Sequence, residues 1–287
     1  MKSQQSFDPE RVRQQQRELW NSAAPGWKEM WSGFDRATHV VSQRLVELAR
    51  IKPGHRVLDI ATGLGEPALT AAHVVGPEGL VVATDQSSAM LGFARERADA
   101  LGLTNIEFVE ADAETLAIDR KGFDAVICRW GLMFVPDLAK AMRRIAEMLV
   151  AGGTFATAVW GPAARVPMIS LGEEAIRQIA KLPPRQPDAP HPLRLADTKP
   201  LERAMSDAGF KHIEVESVMA NFQFESAQAF MAQRQAMSAS FRATLAQQAP
   251  EQRRQILDAI AEAAGRYADS SGTVRMENEA ICIAAEL

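Results

Sequence analysis

Residues 57–65, Val57-Leu58-Asp59-Ile60-Ala61-Thr62-Gly63-Leu64-Gly65, decide the fold of this chain. The apolar run around a single carboxylate reads as a buried strand, and the glycines after it read as a turn into a helix. A strand, glycine turn and helix form a cradle for a nucleotide-bearing ligand, because glycine accepts positive φ and lets the backbone approach closely. Gly63, Gly65 and Ala68 satisfy the G-x-G-x-x-G/A pattern, and Asp85 follows Gly65 by twenty residues, where a ribose-binding acid belongs. A dinucleotide fold, and with it a nucleotide-linked oxidoreductase, therefore competes. Asp59 argues against it. A carboxylate there would face the position a dinucleotide gives its pyrophosphate, and like charges so close in a semi-buried site are costly. The acid suits a cationic ligand without phosphate.

Working outward, apolar runs alternate with helical patterns from about residue 56 to 160, the signature of a doubly wound α/β sheet. Strands are predicted over 56–60, 80–85, 106–110, 123–128 and 153–160. The helix predicted over 137–150 carries Leu138, Met142, Ile145 and Leu149 on one face, with Gly152-Gly153 as its stop. Then come a helix over 166–179, a proline-dense loop over 182–192, a helix over 200–209, a strand over 212–218 and a last strand over 280–285. Between those final strands, helical spacing through Phe230, Met237, Phe241 and Leu245, then Ile256, Ile260 and Ala264, predicts a helical insertion at about 226–268. The expected organisation is an N-terminal helical segment, 1–50, followed by a Rossmann-like domain, 51–287.

Composition narrows the function classes. Hydrophobic residues at 47% and charged residues at 24% suit a globular protein, and 32 basic against 36 acidic residues leave a net charge of −4. The basic residues are scattered, as in Arg143-Arg144 and Arg253-Arg254, so no phosphate-tracking stripe forms and nucleic acid is not an expected partner. No segment approaches the ~20 apolar residues that span a bilayer, and residues 1–17 lack an apolar signal core, so a cytoplasmic location without membrane partners is expected. Cys128 and Cys282 sit in apolar runs and read as reduced, structural thiols. No metal-ligand cluster is expected, and a homodimer is compatible with the sequence.

In open α/β sheets ligands bind beyond the carboxyl ends of the strands. Four strand ends carry suitable groups: Asp59, Asp85, the Glu110-Ala111-Asp112-Ala113 turn, and Arg129-Trp130-Gly131. One extended ligand across them would give Asp85 both ribose hydroxyls, Asp112 an adenine amino group and the Ala113 N–H a ring nitrogen. Ala61, Thr62, Gly63 and Gly65 of the loop, with Gln86 and Arg129, complete the expected cofactor set. The plainer reading of each acid is a helix cap or solvated turn.

Taken together, Val57 to Gly65, Ala83-Thr-Asp-Gln-Ser-Ser-Ala-Met-Leu91, Glu110-Ala-Asp-Ala113, Phe123-Asp-Ala-Val-Ile-Cys128 and Phe134-Val-Pro-Asp137 resemble the class I S-adenosylmethionine-dependent methyltransferases. The small-molecule branch containing the ubiquinone and menaquinone C-methyltransferases is most similar, over roughly residues 40 to 160. The resemblance implies a mostly parallel seven-stranded sheet of order 3-2-1-4-5-7-6 with strand 7 antiparallel, S-adenosylmethionine as cofactor, and methyl transfer by in-line displacement to a small-molecule acceptor. Glu66-Pro67 departs from the family pattern, where an aspartate or threonine precedes a small residue, though proline suits a first helical turn. A cofactor-binding regulator or assembly partner on the same fold is the alternative, because fold does not prove activity.

The acceptor is less legible. Trp20, Trp27 and Trp31, with Met30 and Phe34, form a helical stripe expected to break at Pro25-Gly26. It either packs on the core or closes over an apolar acceptor, and Trp27, Trp31 and Trp130 are the substrate-side candidates. His39 and His191 are the histidines that could face a pocket, but neither lies in a recognisable motif. No catalytic residue is named, because positioning and desolvation can carry much of a sulfonium methyl transfer.

Overall fold

A computed structural model describes residues 9–183 and 189–287. Apolar side chains at most positions make β1 (Arg56–Ile60), β2 (Leu80–Asp85) and β4 (Phe123–Arg129) central strands, buried on both faces. With β3 (Ile106–Glu110), β5 (Leu149–Trp160), β6 (Lys211–Phe224) and β7 (Val274–Glu286) they form one sheet of order β3-β2-β1-β4-β5-β7-β6. β1 to β5 pair in parallel, and β7 runs antiparallel between β5 and β6. The chain reverses its direction of winding between β1 and β4, so the switch point, where open sheets hold ligands, lies beside Asp59 and Arg129.

Helices α2 (Ala68–Val75), α3 (Ser88–Ala100), α4 (Leu138–Met148), α5 (Pro167–Ile179) and α6 (Lys199–Asp207) cover the sheet. Local chemistry starts two of them: Ser87 and Asp137 accept hydrogen bonds from Met90 N and Lys140 N as N-caps. α4 ends at Met148, not at the glycine pair, because Leu149 already pairs with Phe123 in the sheet. Ladder pairing also lengthens the last two strands beyond their sequence signal, with Phe222 opposite Met276 and Phe224 opposite Val274. Between them lie α7 (Ala227–Met237), α8 (Ala239–Ala246) and α9 (Pro250–Gly265).

The N-terminal helix α1 (Pro9–Leu48) is continuous through Pro25, where a break was expected. Tertiary contacts hold it. A methyl at Gly26 would overlap the carbonyl of Ala236, so glycine is what lets α7 lie against α1, and Trp27 Nε1 donates to Met237 O at 2.8 Å. The C-terminal half of α1 is core, with Val41 and Leu45 fully buried. Of the N-terminal segment, residues 1–8 lie outside the description, as do 184–188 of the proline-dense loop. No helix among the described residues is long and apolar enough to cross a membrane. Cys128 and Cys282 are buried free thiols, and burial pushes both up to about 12, which leaves them unreactive.

Candidate functional site

Two cavities open beyond the carboxyl ends of the strands. The narrower, about 130 Å³, is lined by the loop after β1 (Ala61, Thr62, Gly63), by Asp85 and Gln86 after β2, by Asp112 and Ala113 after β3, and by Arg129 and Trp130 after β4. The structure thus brings together at one cavity every expected cofactor residue except Asp59 and Gly65. Ala61 (φ 56°) and Trp130 (φ 58°) hold the sparsely populated left-handed conformation one residue beyond neighbouring strands, turning the chain sharply across the cavity.

Asp59 lies behind that wall. It is fully buried, and its Oδ2 accepts from Ala68 N at 3.1 Å, which fastens the start of α2 to β1. Its other oxygen approaches Thr62 without completing a hydrogen bond. Burial raises the Asp59 carboxyl to about 8, against the weaker pull of Thr62, Arg129 and Ala68 N–H, so it is mostly protonated near neutral pH. Asp59 does not line the cavity, where the sequence reading expects it, but braces the loop from behind it. Gly65 is likewise structural, its positive φ of 102° turning the chain over Leu69.

Asp85 has a different environment. Its Oδ2 accepts from Gly63 N at 2.9 Å and its Oδ1 from Ser87 N at 2.8 Å, which tie the two loops together and leave further lone pairs toward the cavity. Burial raises it to about 6, the backbone N–H donors limiting the rise. Asp112 accepts from Glu114 N at 2.8 Å, and Glu114 in turn accepts from Arg13 at 2.8 Å and from Asp137 N at 2.8 Å. That network seals the rim with α1, a role the sequence reading missed because Arg13 and Glu114 lie 101 residues apart.

Arg129 contributes its side chain, not merely its backbone. Its Nη1 donates to Ser42 Oγ at 2.7 Å, locking α1 to the end of β4, and its guanidinium lies 5.0 Å from the Trp130 ring. Burial lowers its pKa, while Glu66, Asp35 and Asp59 oppose that shift. Glu66, flagged only as a departure from the family pattern, is buried on the cavity wall and accepts from Thr70 Oγ1 at 2.6 Å. Asp35, His39 and Glu66 bring ligand atoms within 4.8 Å of one another, close enough to share a cation. Arg97 already lies 3.6 Å from Asp35 and 3.8 Å from Glu66, so the acids are charge-compensated by an arginine.

The larger cavity, about 620 Å³, meets the first along a shared wall that includes Gln16, Trp20, Trp27, Phe34, Trp130 and Phe134. Of the substrate-side candidates, Trp27 and Trp130 stand at this junction, whereas Trp31 lines only the narrower cavity. Trp20 and Trp160, not among those candidates, line the larger one. His191 also lines it, with Nδ1 accepting from Leu193 N at 3.2 Å, and His39 lines neither.

Buried polar atoms without a hydrogen-bond partner gather at the narrower cavity: Gln16 Oε1, Trp31 Nε1, Thr62 Oγ1 and Trp130 Nε1. Such groups are rare in folded proteins and mark a place for a polar ligand. Acids at the β2 and β3 ends, a buried cation at the β4 end and these orphaned atoms fit a polar nucleoside joined to a zwitterionic amino-acid tail. The residues present therefore suit S-adenosylmethionine.

Comparison with known proteins agrees. A family model described as a methyltransferase domain matches residues 51–184. The ubiquinone/menaquinone biosynthesis C-methyltransferase UbiE of Pseudomonas fluorescens (strain Pf0-1) is 36% identical over 138 residues, 47% of this chain and 54% of that protein. The UbiE of Ectopseudomonas oleovorans is 37% identical over 138 residues, which is 47% of this chain and 81% of that sequence. This chain spans about half the length of the first of these curated relatives. A candidate methyltransferase from Bacillus halodurans C-125 superposes with TM-score 0.57 at 19% identity, over 85% of this chain and 97% of its own, and so shares the fold. The chain belongs to the class I S-adenosylmethionine-dependent methyltransferases.

Proposed function

We propose that this protein transfers a methyl group from S-adenosylmethionine to a small-molecule acceptor, with cofactor in the narrower cavity and acceptor in the larger. The observation that carries the reading is the aromatic wall shared by the two cavities, because Trp20, Trp27 and Trp130 line both and would bring two bound ligands edge to edge. When bound, S-adenosylmethionine supplies an electrophilic methyl group on a sulfonium. Asp85 and Gln86 would hold the ribose, Asp112 and the Ala113 N–H the adenine, and Thr62, Glu66 and Arg129 the amino-acid end. The tryptophan faces at the junction favour positive charge and exclude water, so these residues position and desolvate the reactants. The reading makes the protein a cytoplasmic enzyme without nucleic-acid partners, supported by its scattered basic residues and its likeness to metabolic methyltransferases.

Calorimetry tests it. S-adenosylmethionine should bind in the micromolar range usual for enzyme ligands, and Asp85→Ala should weaken binding by about 1–3 kcal/mol through lost hydrogen bonds. Tighter binding of NAD than of S-adenosylmethionine would sink the proposal.

A further inference from the structure

The two cavities differ in charge. The narrower is lined by four acids, Glu66, Asp85, Asp112 and Glu114, against two arginines, Arg13 and Arg129. The larger reverses the balance, with Glu173 as its one acid among the described residues against Arg177 and Arg234, and His191 also in its lining. The rest of its wall is strongly apolar, and includes Trp160, Phe224, Phe230 and Phe241. At about 620 Å³ it lies within the roughly 300–1,000 Å³ of sites that enclose drug-sized ligands.

Arg177 is the distinctive group. It projects from the last turn of α5, lines the larger cavity only, and among the described residues has no side-chain hydrogen bond or ion pair. Glu173, one turn earlier on the same helix, is engaged elsewhere. A half-buried guanidinium facing aromatic surface has lost part of its hydration, and a carboxylate is the ligand group that restores it most effectively, through a bidentate charge-assisted pair.

We propose that the larger cavity takes a bulky, multi-ring apolar acceptor bearing a carboxylate that pairs with Arg177, its ring system resting on the aromatic wall that leads to the junction. The inference rests on the methyltransferase reading and deepens it. Pairing with Arg177 draws the acceptor's carboxylate into the larger cavity, away from Asp85 and Asp112 of the cofactor cavity.

Two fluorescent probes of matched shape test this: 4-(1-pyrenyl)butanoic acid, ionised at about pH 7.5, and the neutral 1-pyrenebutanol. Each is titrated into the full chain saturated with S-adenosylhomocysteine, and binding is read by energy transfer from the tryptophans lining the cavity. The acid should bind about tenfold more tightly than the alcohol, as expected for a charge-assisted hydrogen bond over a neutral one. That preference should vanish in Arg177→Gln and persist in Arg177→Lys. Circular dichroism and S-adenosylhomocysteine affinity report whether each variant folds, and Arg177→Met, equally uncharged, takes the place of Arg177→Gln if that variant does not. Equal binding of the two probes to the natural protein, or an unchanged preference in folded Arg177→Gln, would overturn the role of Arg177. Binding of neither probe by protein that holds S-adenosylhomocysteine would overturn the acceptor cavity itself. Failure to hold S-adenosylhomocysteine would instead strike the methyltransferase reading.

Discussion

Trp130 stacks on Trp160, their ring centroids 4.1 Å apart and the planes 10° from parallel. Trp130 walls both cavities, whereas Trp160 faces only the larger, so Trp160 backs the junction from the acceptor side. Aromatic pairs contribute about 0.5–1.5 kcal/mol beyond their buried area. Trp160→Leu should therefore raise the acceptor KM by about three- to tenfold, as that energy implies. S-adenosylhomocysteine affinity should stay within about twofold. Steady-state kinetics with calorimetry separates the two, and lost cofactor affinity with unchanged acceptor KM would place Trp160 wrongly.

Asp85 gives cofactor binding a pH dependence. Burial raises its carboxyl to about 6, and the ionised form is the one that can accept from both ribose hydroxyls. S-adenosylhomocysteine affinity should be flat above about pH 7 and weaken as pH falls through 6. In Asp85→Asn, weaker throughout, that fall should disappear. Calorimetric titrations between about pH 8 and 5 check this.

Asp59 affects stability in the opposite direction from a salt-bridged acid. Its folded pKa, about 8, lies above the unfolded value, so the folded state holds the extra proton. Its contribution to stability is full below about pH 4 and is lost as pH rises toward 8. Asp59→Asn, which keeps an oxygen for Ala68 N–H, should gain in Tm relative to the natural protein across that window and level off above it. A Tm difference independent of pH would mean that Asp59 is ionised in the folded state.

Gly26 and Gly33 sit on the same helix with opposite surroundings. A Cβ at Gly26 would meet the Ala236 backbone, whereas one at Gly33 would meet only the Gln233 side chain, at 3.7 Å. Gly26→Ala should destabilise by about 1–3 kcal/mol, the usual cost of overpacking. Gly33→Ala should be neutral or stabilising by up to about 1 kcal/mol, as for glycine in a helix interior. Chemical denaturation of both variants makes the comparison.

His191 should prove dispensable. Its Nδ1 is held by Leu193 N–H, and it lines the larger cavity without reaching the shared wall. His191→Ala should lower kcat by less than about tenfold, where a general base contributes roughly 10²–10⁴-fold. A thousandfold loss with cofactor affinity intact would make it the base for an oxygen or carbon acceptor.

The sequence by itself determined the sheet and the row of groups along its ligand-binding edge. Continuous apolar runs make central strands, and parallel strands all end on the same side, so Asp85, Asp112 and Arg129 were bound to converge once the strands were recognised. Tertiary structure decided what depends on partners distant in the chain. Ladder pairing set the end of α4 and the length of β6 and β7, where local pattern had suggested other limits. Burial, which no local motif encodes, decided that Asp59 would hold a proton behind the loop. The acceptor cavity belongs wholly to this second kind. Its wall is gathered from α1, the ends of β4 and β5, α5, the proline-dense loop and α7 to α8, with residues as far apart as Gln16 and Thr244. A cavity is the space packing leaves between elements, and periodicity within one element carries no record of that space.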